Sequence, residues 1–232
     1  SSFNKMSKRI DLLIHEVFVK QQEKQETELQ LLRTQINPHY LYNTLEIMHM
    51  KAYMCQDYET ATMAELLGQN LQYGLRNTTK EVPLEEEIHQ LNIYRAILAY
   101  QYNERIQFNI CIDRELYSCH VLKLVFQPIV ENAIKYGVGD KKGGGTVWIS
   151  VRREGDSALV EIRDDGVGVD ARNLNELPIR DDGKTHVGLH NVQARVKLMA
   201  GGSLEFFSKK DWGTIVTIKV PWRRKTHEYT GS

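Results

Sequence analysis

At 232 residues the chain is long enough for one large domain or two modest ones, with a core that needs no covalent staples. Lys plus Arg and Asp plus Glu balance at 30 each, so no global field draws the chain to nucleic acid or to an anionic membrane surface, and the functional clues must be local. Cys55, Cys111 and Cys119 have no ligand-like spacing and fit a reducing compartment, no run of about 18 apolar residues reads as a membrane span, and no signal-peptide layout opens the chain.

The first 55 or so residues read as helix. Ile10, Leu13, Ile14, Val17 and Phe18 recur at three and four, and Leu29, Leu32 and Ile36 resume the stripe after a polar run from Lys20 to Glu28. One narrow seam with charged flanks suits a two-stranded coiled coil or a bundle; a solvated helix facing another part of the same chain leaves the same pattern. Pro38 removes a backbone donor and should bend this helix beside His39. A lone histidine on a half-buried helix is ordinarily packed or solvated. Asn43 singles this one out, because it lies four residues on, on the same face, and can bond one imidazole nitrogen while leaving the other for chemistry.

A second helix is expected over 58–75, with Ala61, Ala64, Leu67, Leu71 and Leu75 as its stripe. The short connection at 55–57 forces the two helices into an antiparallel hairpin, and two hairpins make a four-helix bundle. The polar stretch 76–81 breaks the pattern. Pro83 at a first helical position, followed by Glu85, Glu86 and Glu87 in the first turn, then starts a third helix reaching about Asn103.

From Ile106 the period changes to two: Ile106, Phe108, Ile110 and Ile112 alternate as a half-buried strand. A helix over 121–136 follows, then strands at 147–153 and 158–163. A polar loop at 171–186 leads to a helix at 189–199 and to strands at 204–207 and 214–220. This half reads as α+β, mostly antiparallel, with its helices on one face.

Three stretches in that half share one chemistry. Glu131-Asn132-Ala133-Ile134-Lys135-Tyr136 puts an amide oxygen suited to a hard cation, an ammonium suited to phosphate and an aromatic ring within two helical turns; a charged helix face is otherwise simply solvated. Arg163-Asp164-Asp165-Gly166-Val167-Gly168 ends a strand with an acid and two glycines, which is either a capped turn or a place where backbone approaches a flat ligand whose amino group the acid accepts. Thr185-His186-Val187-Gly188-Leu189 opens a helix whose free amides suit phosphates. His186 and His190 stand i, i+4 but have no third ligand of suitable type nearby, so a zinc site is not expected. Trp212-Gly213-Thr214 sets a small hydroxyl at the start of the closing strand.

In order, Gln35-Ile36-Asn37-Pro38-His39-Tyr40-Leu41-Tyr42-Asn43, Gln127-Pro128-Ile129-Val130-Glu131-Asn132-Ala133-Ile134-Lys135, Asp164-Asp165-Gly166-Val167-Gly168 and Val187-Gly188-Leu189 resemble the boxes of sensor histidine kinases of the LytS/YesM type. The resemblance spans about residues 5–221. It implies an α-helical dimerisation hairpin, forming a four-helix bundle in the homodimer, followed by an α+β GHKL or Bergerat-type ATP-binding sandwich of the gyrase, Hsp90, histidine kinase and MutL superfamily. The implied divisions are a linker helix at 1–30, a dimerisation and phosphotransfer domain at 31–82, a connecting helix at 83–104, a catalytic ATP-binding domain at 105–222 and a tail at 223–232.

Residue by residue, the resemblance makes His39 the phosphoacceptor, with Asn43 orienting its imidazole. It makes Asn132 the Mg²⁺ ligand, Lys135 a phosphate contact and Tyr136 a flank of the nucleotide. Asp164 becomes the adenine reader with Thr214 beside it, Gly166, Gly168, Gly188 and Leu189 shape the pocket, and 171–186 form a mobile lid. Glu131 adjoins Asn132 and is the candidate to accept the imidazole proton, though neighbours on a helix diverge by about 100°. Neutral imidazole is already abundant near pH 7, so a strong base is not essential.

The implied activity is autophosphorylation of histidine from Mg-ATP and transfer to an aspartate of a response regulator's receiver domain. The implied place is the cytoplasmic side, as the soluble part of a membrane protein whose sensor lies upstream; Phe3-Asn4-Lys5-Met6 resembles the end of that family's linker helix. No nucleic-acid partner is expected. Three positions depart from common patterns: His186 holds the first glycine position of a Gly-x-Gly-Leu box, Tyr40 stands where other histidine kinases have an acidic residue, and Pro128 stands where many have an asparagine or acid. His186 favours an alternative, a nucleotide-binding dimeric signalling scaffold with weak or no kinase activity. A clamp-like ATPase leaves the Asn37-Pro38-His39 stretch without a role.

Overall fold

The computed structural model describes residues 38–75, 81–102, 105–139, 141, 143–177, 187–199 and 201–222. The expected seam over 1–37, the polar break at 76–80, much of the lid segment, His186 and the tail from 223 lie outside the described residues, as does the chain before Pro38 on which the expected bend depends.

Helix α1 (Pro38–Met54) and helix α2 (Tyr58–Leu75) form the hairpin, joined by three residues. Gln56 takes a positive φ of 60° in the turn, and Asp57 caps α2 by accepting the Thr60 amide at 3.1 Å. The Thr60 side chain and then its amide hold the Asp57 carboxyl below the usual carboxylate range. His49 Nδ1 donates to the Ala61 carbonyl at 2.9 Å and pins the two helices together. The expected stripe on α2 divides: Ala61 and Ala64 are buried, whereas Leu67 and Leu75 remain exposed on the single chain. Gly68 supplies the missing contact, its Cα side facing Tyr42 and Leu45 of α1.

Strand β1 (Glu81–Pro83) precedes helix α3 (Leu84–Tyr102), so Pro83 closes a strand rather than opening the helix. Strands β2 (Ile106–Ile112) and β3 (His120–Leu122), helix α4 (Phe126–Ala133), strands β4 (Gly145–Glu154) and β5 (Ser157–Asp164), helix α5 (Val187–Leu198) and strands β6 (Ser203–Lys209) and β7 (Gly213–Pro221) complete the described chain. Five strands form one sheet in the order β2-β4-β5-β7-β6. Only β2 and β4 run parallel, an arrangement that needs a crossover, and α4 lies within it. β1 and β3 make a separate antiparallel pair that the alternation in the sequence is too short to disclose.

Period-2 alternation sends Val147, Ile149 and Val151 of β4, Ala158, Val160 and Ile162 of β5, and Val216, Ile218 and Val220 of β7 to one face. Against them pack Leu84, Leu91 and Leu98 of α3, Phe126, Ile129 and Val130 of α4, and Leu189, Val192 and Val196 of α5. The expected α+β sandwich, with its helices on one face, is the fold observed.

The largest departure from the expected elements falls at 120–138. A single helix over 121–136 is replaced by β3, a turn, α4 and a π-helical turn, Ile134–Val138. Leu124 stands at a positive φ of 55°, which no helix accommodates. The amides just before the helix go instead to a carboxylate from another element: Leu124 N–H donates to Glu87 Oε1 at 2.6 Å and Val125 N–H to Oε2 at 3.0 Å. Glu87, only 2% exposed, thereby caps α4 from α3, and Tyr73 at the far end of the hairpin donates its hydroxyl to the same Oε1 at 2.6 Å. Burial raises the Glu87 pKa above the ordinary carboxylate range, opposed by the bonds from Tyr73, Leu124, Val125 and Phe126. Pro128 is tolerated because it falls in the first turn, where a missing amide is no loss.

Candidate functional site

The alternation that buries Ala158, Val160 and Ile162 also turns Asp164, the last residue of β5, toward the helices, where it is 2% exposed. Its Oδ1 accepts the Gly166 amide at 2.9 Å. The π-helical turn closes over the same carboxylate: a β-carbon on Gly137 would lie 2.7 Å from Asp164 Oδ1, and one on Gly166 would collide with the Gly137 backbone. Two backbones and an acid thus meet at a place with no room for a side chain. Gly137, which the motifs did not single out, is as much a part of this contact as Gly166. Gly168 holds a positive φ of 57° against the Lys209 carbonyl, the left-handed region that favours glycine.

Thr214 faces Asp164 across the β5–β7 ladder, and its amide and that of Gly166 stabilise the ionised carboxyl. Burial dominates nonetheless and pushes the Asp164 pKa up to about 6, with Asp165 adding to the rise and Arg163 opposing it. Thr214 Oγ1 lies 2.9 Å from Ser208 Oγ, which in turn lies 3.1 Å from the Gly213 carbonyl and accepts the Val169 amide at 3.0 Å. The Ser208 proton can go to the Gly213 carbonyl or to Thr214, and either hydroxyl can donate across the pair, which holds Thr214 Oγ1 in place. Neither Ser208 nor this relay is visible in the sequence. Asp165 is engaged structurally: Oδ1 accepts the Thr146 amide at 2.8 Å, and Lys141 Nζ sits 2.9 Å from its carbonyl.

Asn132 lies half-buried in the last turn of α4, and Lys135 and Tyr136 lie on the π turn just before Gly137. Lys135 is exposed, its ammonium 5.5 Å from the centroid of the Tyr136 ring. The i to i+5 bond from Gly139 N–H to the Ile134 carbonyl, 2.7 Å, marks a wider turn of the kind that recurs at functional sites. Amide oxygen, cation, aromatic ring and buried acid therefore collect at one end of the sheet. Glu131 is exposed on α4; burial first, and the Glu131 charge second, push the Tyr94 phenol of α3 upward. Leu189 is buried in the core, and Gly188, exposed at the start of α5, has among the described residues only Pro128 Cβ within ordinary contact of where its own Cβ would be.

His39 and Asn43 sit together on α1, with Asn43 Nδ2 3.2 Å from His39 Nδ1. Turned by half a revolution, the amide places its oxygen there instead, accepts an Nδ1–H and fixes the tautomer that carries its proton on Nδ1. α1 packs on α2, and α2 on α3, so the histidine and the Asp164 group occupy separate layers of the chain.

Residues 27–106 match the family model described as histidine kinase, and residues 120–224 match that of the histidine kinase-, DNA gyrase B- and HSP90-like ATPases. The chain is 33% identical to the sensor histidine kinase YesM of Bacillus subtilis over 96% of its length and 38% of that protein's. It is 32% identical to the sensor histidine kinase BtsS of Escherichia coli K12, over 91% of the chain and 37% of that protein. With the sensor histidine kinase YpdA of the same organism it shares 30% identity over 85% of the chain and 34% of the relative. The chain thus spans less than two fifths of the length of these relatives.

The two kinds of glycine separate in a stability measurement. Gly166→Ala, which forces the loop off Gly137, should lower the free energy of urea unfolding by about 1–3 kcal/mol. Gly188→Ala, with space for a methyl group in a helix, should raise it by up to about 1 kcal/mol. Equal midpoints for the two variants would contradict this account of the pocket.

Proposed function

Because the chain belongs to the sensor histidine kinases of the LytS/YesM type, we propose that it phosphorylates His39 from ATP and passes the phosphoryl group to an aspartate on a response regulator's receiver domain. The observation that carries this reading is the presence in one chain of a histidine paired with Asn43 and a buried acid, Asp164, set among glycines beside Asn132 and Lys135. Asp164 accepts the adenine amino group, Thr214 presents its oxygen to the same edge, and Tyr136 flanks the nucleotide. Lys135 offsets charge on the phosphates. The oxygen of Asn132 is the hard donor that would hold Mg²⁺, which supplies charge neutralisation on the transferred group when bound.

In the reaction the His39 imidazole attacks the terminal phosphorus in line. A nitrogen–phosphorus bond forms, the bond to the bridging oxygen of ADP breaks, and the imidazole proton leaves. Asn43 holds the ring in the reactive tautomer, and Glu131 takes the proton or passes it to water. Since the histidine and the nucleotide residues lie in separate layers, α1 and the sandwich must approach each other for transfer.

Ile47, Met48, Met50, Tyr53 and Met54 are exposed on α1 of the single chain, which supports a homodimer in which two hairpins bury them as a four-helix bundle. The gap between the two matched spans, 27–106 and 120–224, supports a boundary between a helical part and a catalytic part, and within the helical part the linker helix, the dimerisation and phosphotransfer domain and the connecting helix are part of this reading. The greater length of the sensor kinases it resembles supports a parent protein with an upstream membrane sensor, this part lying on the cytoplasmic side.

His39→Gln should abolish labelling from γ-labelled ATP and leave nucleotide binding intact; persistent labelling refutes the assignment. Glu131→Gln should slow labelling by about tenfold or more if it takes the proton, and an unchanged rate removes it from the mechanism. A pH dependence follows from Asp164. Its raised pKa means that ionising it in the folded protein opposes folding as pH rises from about 4 through about 6, a cost of about 3 kcal/mol that is absent at lower pH. The ionised carboxylate is the stronger acceptor for the adenine amino group, so nucleotide affinity should fall as pH drops through about 6, and adenosine, which has no phosphate to titrate, should show the same slope. A flat profile for adenosine would place the base elsewhere.

A further inference from the structure

The stretch Lys123-Leu124-Val125, which fixes where α4 begins, is gripped from three sides. From α3, Glu87 takes the Leu124 and Val125 amides. From α2, the Tyr73 hydroxyl joins that carboxylate at 2.6 Å, and the Tyr73 ring lies 4.5 Å from the Lys123 ammonium. From α5, Arg195 Nη2 donates to the Lys123 carbonyl at 2.5 Å. Tyr73 is 4% exposed, and burial beside Glu87 pushes its phenol well up, so it remains a donor. Leu124 keeps its left-handed backbone in the middle of this grip, a strained conformation of the kind that persists only where the surroundings over-determine it.

These contacts join the two halves of the chain at one point. Tyr73 stands in the last turn of the helix that packs on the His39 helix, while α4 carries Asn132 and leads into Lys135 and Gly137. A short charge-assisted hydrogen bond is directional, and a shift of α2 by about an ångström breaks it. The carboxylate then stays buried with one donor fewer, which weakens its hold on the first turn of α4.

Resting on the kinase reading above, we propose that Tyr73 and Glu87 are positioning residues for phosphoryl transfer, coupling the setting of the hairpin to the seat of the nucleotide helix without touching nucleotide or His39. The hairpin position that makes the bond seats Asn132 and Lys135 for transfer. The position that breaks it leaves ATP bound but badly placed. By reciprocity, nucleotide binding at α4 is felt in the last turns of α2.

Tyr73→Phe tests this with the ring and its cation contact kept and only the hydroxyl removed. The expected result is an ATP Kd within about twofold of wild type and a rate of His39 phosphorylation at saturating ATP lower by about tenfold, the worth of one hydrogen bond to a charged group. Glu87→Gln, whose amide turns a donor on the α4 amides, should lower both affinity and rate. Wild-type rate and affinity in Tyr73→Phe would overturn the proposal, as would a loss of rate that merely follows the unfolded fraction in a melting curve. Hydrogen exchange reads the coupling independently of phosphorylation. ATP should slow exchange of amides 69–75 in the wild type and not in Tyr73→Phe, and slowing that survives the substitution refutes the coupling. A wild type that shows this slowing but forms no phosphohistidine refutes the kinase reading alone.

Discussion

A carboxylate removed from water must find donors, and Glu87 finds them at the start of α4. Much of the described structure depends on that one requirement. While β1 holds His120 to Leu122 as a strand, Glu87 takes the Leu124 and Val125 amides, Leu124 stands left-handed, the helix begins at Phe126, and its far end arrives where the π turn can lie on Asp164. The same carboxylate takes the Tyr73 hydroxyl, so the hairpin and the sandwich are joined by polar contact in a setting too dry for the contact to be optional.

At the other end of α4 the constraint is space rather than charge. Gly137 and Gly166 let two backbones meet, and Asp164 lies between them with its oxygen on the Gly166 amide. Burial raises the pKa of this acid, and the neighbouring amides limit the rise, leaving a group whose ionisation is costly and would be favoured by a ligand that donates to it. The Ser208 hydroxyl, between the Gly213 carbonyl and the Val169 amide, holds the hydroxyl of Thr214 in place.

The sequence disclosed the hairpin, the strands of the large sheet and the helices on one face, because their periods are long and regular. Asp57 at the turn and Ile106 to Ile112 as a strand are cases in which local chemistry and tertiary packing agree. The short β1–β3 pair and the start of α4 were hidden, since both depend on partners distant in the chain. Glu87 was read as one of three acids favoured in a first helical turn, although it shares a face with Leu84, Ile88 and Leu91, and an acid on an apolar stripe signals a buried partner. Tyr73 had no such clue. At the site, Asp164, Gly166, Gly168 and the His39–Asn43 pair were legible from spacing, whereas Gly137 was not, because its need arises only where the π turn meets β5. Leu189 is accounted for by core packing.

On the proposed reading this one chain carries both the residues that present ATP and the histidine that receives its phosphate. Incubation with Mg-ATP followed by acid and by base tests it directly. A phosphoryl group lost in acid and kept in base, mapped to the peptide containing His39, is the result expected. Nucleotide binding with no covalent phosphate, or with a phosphate that survives acid, would contradict it.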